Sequence, residues 1–171
     1  SHSDHGGTNV SCNGGDDGTL SITVTGGTAP LIYTWSGPDG YTGTTQTITG
    51  LKAGTYTCIV SDQNGCLLLN NPPVTLSEPT AIQISAIPSP SLFGGYNINC
   101  DGGIGSILVS ASGGTGGTFT YAWSTSDGSG IVPGQKDQLA LTEGSYVITV
   151  SDSNSCETEH TIPLTAPDPI T

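Results

Sequence analysis

The feature that most constrains this chain is an internal repeat. Laying the second half over the first brings four landmarks into register at a period of roughly 90 residues, the spacing of domain arrays rather than of short solenoid units. Cys12-Asn13-Gly14-Gly15 meets Cys100-Asp101-Gly102-Gly103, and Tyr33-Thr34-Trp35 meets Tyr121-Ala122-Trp123. Gly54-Thr55-Tyr56 meets Gly144-Ser145-Tyr146, and the run from Ser61 to Cys66 meets the run from Ser151 to Cys156. Four ordered matches do not arise by chance. The 171 residues therefore divide into two small domains, residues 1–79 and 80–171.

Between the landmarks, apolar and polar residues alternate with the period of half-buried strands. Leu20, Ile22 and Val24 alternate with Ser21, Thr23 and Thr25, and Tyr56, Cys58 and Val60 alternate with Thr57, Ile59 and Ser61. Turn chemistry separates the runs, as in Gly26-Gly27-Thr28-Ala29-Pro30 and Asp62-Gln63-Asn64-Gly65. No window carries a helical stripe. Short strands with a turn about every 8–12 residues predict an all-β fold of two tandem immunoglobulin-like β-sandwiches. Pro79 lacks a backbone donor and holds its neighbour extended, so the sandwiches are expected end to end.

Only Lys52 and Lys136 stand against 14 acidic residues, for a net charge of -12. Nucleic acid is not an expected partner for such a surface, because phosphate binding needs clustered Lys and Arg. Charged residues make up 9%, so solubility rests on Thr, Ser, Asn and Gly, the surface of a secreted protein. Hydrophobic residues make up 33%, so each repeat buries a thin core of the kind that extracellular domains supplement with disulfides. There is no initiator Met, no signal peptide and no long apolar run. A mature product or fragment without membrane insertion is expected.

The landmarks resemble the SprB-type repeat of gliding adhesins and other giant surface proteins of the Bacteroidetes. The likeness rests on Cys-x-Gly-Gly, Gly-Gly-x-x-Pro, Tyr-x-Trp, Gly-Thr-Tyr and a closing Asp-x-Asn-Gly-Cys. Repeat 2 departs from it by lacking a Pro after Gly113-Gly114 and by placing Ser155 where repeat 1 has Gly65. The resemblance implies type IX export, a role in gliding or attachment, and service as a stalk or adhesive filament at the cell surface. Neighbouring copies or repeats of the same protein are then the expected partners, with surface polysaccharide as a further one.

Trp35 and Trp123 are expected as core aromatics, since an immunoglobulin-like core needs one large ring on that strand. The competing reading is a sugar-stacking platform, which would make the chain a carbohydrate-binding module pair of a secreted enzyme. Tyr41 is the aromatic expected to be best exposed. Tyr56 and Tyr146 stand where a tyrosine corner places its ring, so their hydroxyls should bond backbone. Cys58 has no partner on the facing strand and is expected to be a free, buried filler. His2, His5 and His160 form no recurrent arrangement, and neither a Ser-His-Asp set nor a paired carboxylate repeats, so no enzyme is expected. Asp16, Asp17, Asp62 and Asn64 carry oxygen ligands of the type calcium takes, making structural calcium the one cofactor considered. Against it stands the habit of loop Asp and Asn of bonding their own backbone.

Cys12 is expected to pair with Cys66 and Cys100 with Cys156, each bridge contributing about 4 kcal/mol by loop-closure entropy. That pairing requires an even number of strands between the two cysteines. If the stretch from Tyr41 to Thr49 forms two strands instead of one, each cysteine lies a strand length from its partner, roughly 20 Å, beyond disulfide reach. Cys12 to Cys156 is then the natural bridge. Finally, Ala81 to Ile87 opens repeat 2 as a strand, whereas Ser1 to Gly7 shows no alternation. Repeat 1 is therefore expected to expose a sheet edge that C-terminal residues of another copy could cover, giving a head-to-tail polymer.

Overall fold

The computed structural model describes residues 1–5, 7–68, 71–90 and 94–170. The chain divides into two compact units, Ser1–Thr80 and Ala81–Thr171, each with its own core.

In the first unit the strands are β1 (Gly18–Ser21), β2 (Ile32–Ser36), β3 (Thr42–Gly43), β4 (Thr47–Leu51), β5 (Gly54–Ser61) and β6 (Val74–Leu76). β1 pairs antiparallel with β4, and a second sheet runs in the order β3-β2-β5-β6. The alternation decides which side chains meet. Leu20, Ile48 and Leu51 from the first sheet pack with Trp35, Tyr56, Cys58, Val60 and Leu76 from the second in one buried cluster. Two antiparallel sheets closing on one core make a β-sandwich, and the sheet membership is that of an immunoglobulin-like domain.

The second unit repeats the plan with β7 (Thr80–Pro88), β8 (Gly105–Gly114), β9 (Thr120–Thr125), β10 (Gln138–Leu141), β11 (Gly144–Ser151) and β12 (Glu157–Leu164). Its sheets run β10-β8-β7 and β12-β11-β9. Ile82, Ile107, Val109 and Leu141 pack against Tyr146, Ile148, Val150, Ile162 and Leu164. The buried positions of β11 alternate strictly, as the sequence pattern requires.

Both corner tyrosines are buried near the start of the equivalent strand. The Tyr56 hydroxyl donates to the Lys52 carbonyl at 3.0 Å, and that of Tyr146 lies 2.8 Å from the Thr142 carbonyl. A glycine lies against each. A Cβ added at Gly37 would fall 2.4 Å from the Tyr56 ring, and one at Gly128 would fall 2.3 Å from the Tyr146 hydroxyl. The corner thus requires both a tyrosine and a residue without a side chain to cover it.

Two expectations about the first unit are corrected. The stretch from Tyr41 to Thr49 contributes to two strands. β3 pairs with β2 through Trp35 and Gly43, whereas β4 crosses to the other sheet and sets Ile48 against Leu20. The edge of β1 is also covered from within. Ser1 and Ser21 exchange hydrogen bonds, His2 bridges Leu20, and the Ser3 amide donates to the Thr19 carbonyl at 3.3 Å. Backbone pairing needs no apolar side chains, so this edge contact left no alternation to read.

Candidate functional site

Each sandwich has two loop-bearing ends. In the second unit the chain arrives at Ile82, which packs beside Gly114 and Asp152, and departs through Leu164, paired with Gly144. These are its leading and trailing ends. In the first unit Leu76 pairs with Gly54 at the trailing end, and the turn after Ser61 marks the leading end.

The leading ends are built around one carboxylate. Asp62 Oδ1 accepts from the Asn64 and Cys66 amides, both at 2.9 Å, and Oδ2 accepts from the Thr28 amide at 3.0 Å. Asp152 repeats this with the Asn154 amide at 2.9 Å, the Cys156 amide at 3.0 Å and the Thr115 amide at 2.9 Å, adding the Thr115 hydroxyl at 3.1 Å. The backbone donors, Thr28 foremost, hold the Asp62 carboxyl below the usual aspartate range. At Asp152 burial works against ionisation, but the donors outweigh it and its carboxyl is likewise lowered. Ser155 takes the left-handed conformation of Gly65, with φ of 64° against 79°, so the substitution leaves the turn unchanged.

The trailing ends are tied by asparagines. Asn9 Oδ1 accepts from the Ser77 amide at 2.8 Å while the Val10 amide donates to the Ser77 carbonyl. In the second unit Asn97 and Ile98 hold Thr165 in the same way. Val10 and Ile98 are fully buried. Sequence reasoning missed this landmark, although Asn9-Val10 and Asn97-Ile98 stand at the same spacing before Cys12 and Cys100. Asp17 also sits here and accepts from the Ser11 amide at 2.9 Å, with His5 Nε2 at 3.6 Å. Burial opposes ionisation of Asp17, but the Ser11 donors and His5 hold its carboxyl below the usual range.

The calcium set is not brought together. Asp62 and Asn64 lie at the leading end of the first unit, whereas Asp17 and Asp16 lie at the trailing end, where Asp16 approaches Gly50. The eight residues of β5 between the ends span roughly 26 Å at about 3.3 Å per residue. Asp62 spends its oxygens on backbone amides, as loop aspartates usually do.

The same length overturns the expected disulfides. Cys12 is followed by Asn13, which donates to the Glu78 carboxylate and the Pro79 carbonyl at the trailing end, while Cys66 closes the Asp62 turn at the leading end. Five strands separate them, an odd number, so a bridge of Cα separation about 4.4–6.8 Å cannot form. Cys100 and Cys156 also lie at opposite ends, although four strands, β8 to β11, stand between them: Cys100 lies beside Ile98 and Thr165 at the trailing end and Cys156 in the Asp152 turn at the leading end. Cys12 and Cys156 are each disulfide-bonded, and Cys66 and Cys100 are exposed free thiols. Cys58 is a free thiol inside the first core, its titration pushed up by burial.

The aromatics are mostly inward. Trp35 is 3% exposed and its indole donates to the Thr45 carbonyl at 2.8 Å. Trp123 is half-buried, packs on the second core and donates to the Lys136 carbonyl at 3.2 Å. Tyr41, expected to be exposed, is also half-buried and meets Tyr56 edge to face at 5.6 Å. Tyr96, at 38%, is the most exposed aromatic ring among the described residues.

No curated protein matches the chain. An amphioxus IgVJ-C2 molecule of known structure aligns over 88% of this chain and 97% of that chain, at 13% identity and a TM-score of 0.36. Among the described residues no helix is long and apolar enough to cross a membrane. Residues 8–40, from the Asn9-Val10 anchor through the cysteine turn, β1 and the strand that carries Trp35, match the family described as SprB repeat.

Proposed function

We propose that the chain is a structural and adhesive segment of an extracellular bacterial surface filament or stalk, with no enzymatic activity of its own. The SprB repeat supports this, since such repeats occur in cell-surface proteins. The observation that carries the reading is the structural use made of the residues that recur between the two repeats. Trp35, Tyr56 and Tyr146 fill cores, and Asp62 and Asp152 fasten loops, so these residues serve to hold each sandwich together.

A carbohydrate-binding module pair would need a row of exposed rings, and Trp35 is closed off between β3 and β5. Electron microscopy of the native assembly tests the proposal. Extended filaments or stalks with a sandwich-sized axial repeat are expected. Discrete particles that retain a polysaccharide column through Tyr96 would replace it with the module reading.

A further inference from the structure

The cysteines occupy two kinds of position, and each kind occurs once per repeat. Cys12 and Cys100 stand in the same trailing-end turn, in which the Gly15 and Gly103 amides donate to the Cys12 and Cys100 carbonyls, both at 3.0 Å. Cys66 and Cys156 stand in the same leading-end turn, closed by the Asp62 and Asp152 amides on their carbonyls at 3.1 and 3.0 Å. One member of each kind is bonded, namely Cys12 and Cys156. The other member of each kind, Cys100 and Cys66, is free and exposed in an equivalent backbone setting. The free thiols therefore present the same combination of ends as the bonded ones, one trailing and one leading.

We propose that Cys100 of one copy forms a disulfide with Cys66 of the next, joining copies head to tail. This deepens the filament reading and rests on it. The surface around Cys66 supports a second copy as the occupant. There Val24, Leu31, Leu67 and Leu68 line an open, mainly apolar groove of about 190 Å³. Leu67 is 55% exposed and Leu68 40% exposed, whereas Cys156 is followed by Glu157 and Thr158. The unbonded leading end thus carries two exposed leucines where the bonded one has Glu157 and Thr158. A trailing end meeting a leading end is a heterologous contact, which propagates instead of closing into a dimer. Each bond forms by thiol–disulfide exchange. The two protein thiols lose two protons and two electrons to one oxidised glutathione, which leaves as two molecules of reduced glutathione.

The test treats the folded 171-residue protein with oxidised glutathione and reads non-reducing electrophoresis with peptide mapping. Wild type is expected to give a ladder of dimers, trimers and longer species that dithiothreitol collapses, with Cys66 to Cys100 as the one new linkage. Cys66→Ser and Cys100→Ser, each alone, are expected to stay monomeric. Mixed together they should give dimers and stop, because the joined pair has no remaining thiol of either kind. Dimers from either variant alone, a bridge within one chain, or glutathione adducts without a ladder would each overturn the proposal. Filaments that persist in the double variant would also sink the bond while leaving the filament reading standing.

Discussion

The two repeats share a core and differ at their margins. In the first, β2 is an interior strand, with Cys58 of β5 paired to Trp35 on one side and Gly43 of β3 on the other. In the second, β9 pairs with β11 and is the edge of its sheet, so Trp123 has a strand neighbour on one side only. The other sheet shows the reverse. β8 runs for ten residues beside the nine of β7, whereas β1 runs for four with only Ser1 to Ser3 along its edge. The same landmark residues therefore fix which rings and loops are buried, while local strand extension decides how completely they are covered.

The tryptophans give the largest test of that difference. Trp35→Ala removes a closed-off ring and leaves the Thr45 carbonyl without its donor, a loss of about 3–5 kcal/mol for the first repeat. Trp123→Ala is expected to cost its repeat roughly half as much, because part of that ring is already in water. Each variant keeps one tryptophan as a reporter of the other repeat. In urea, far-UV circular dichroism of Trp35→Ala should show an early transition while Trp123 fluorescence keeps its wild-type midpoint. Equal losses in the two variants would mean that the edge position of β9 does not matter.

A smaller effect is expected at the leading-end carboxylates. Asp62→Asn and Asp152→Asn each leave a side chain with one acceptor oxygen where the carboxylate serves donors on both, so both variants should melt lower than wild type. The Asp152 change should be the more severe, since it also loses the Thr115 hydroxyl. Both carboxyls titrate below the ordinary aspartate value near 4. Their stabilisation is therefore fully present above that value and is lost as pH falls through the lower folded-state value. Between the two values the unfolded chain holds more protons, so stability rises with pH there. Melting followed from pH 5 down to pH 2 should show a steeper loss for wild type than for either variant. Parallel curves would remove the carboxylates from the account.

Much of this architecture was legible because side-chain alternation carries it. Leu20, Tyr56, Cys58 and Val60 read as inward and are buried, and the corner tyrosines follow from their place after a glycine at a strand start. The cysteine pairing of the first repeat was not legible, because it turns on strand parity. Between Tyr41 and Thr49 the chain is nearly all Thr, Gly and Gln, with no apolar alternation to show that β3 and β4 belong to different sheets. The loop acids were misleading for another reason. Asp16, Asp17, Asp62 and Asn64 have the right atoms for calcium, but composition does not report which end of a sandwich each loop occupies.

That last point sets the smallest expected effect, the response to calcium. A calcium ion takes six to eight oxygens at about 2.3–2.6 Å, and neither end of the first repeat gathers such a set from these four residues. At the leading end an ion would have to displace the Thr28, Asn64 and Cys66 amides from Asp62, exchanging three formed hydrogen bonds for one carboxylate contact. At the trailing end Asp17 is engaged by Ser11 and His5. The net charge of -12 still attracts divalent ions diffusely, so the comparison must be made against magnesium at equal ionic strength. Calorimetry in calcium, in magnesium and in chelator is expected to give the same melting temperatures for wild type. Asp62→Asn and Asp152→Asn should shift by equal amounts in all three. A rise specific to calcium that Asp62→Asn abolishes and Asp152→Asn does not would place an ion in the first repeat, and the two leading ends would then differ in chemistry as well as in their thiols.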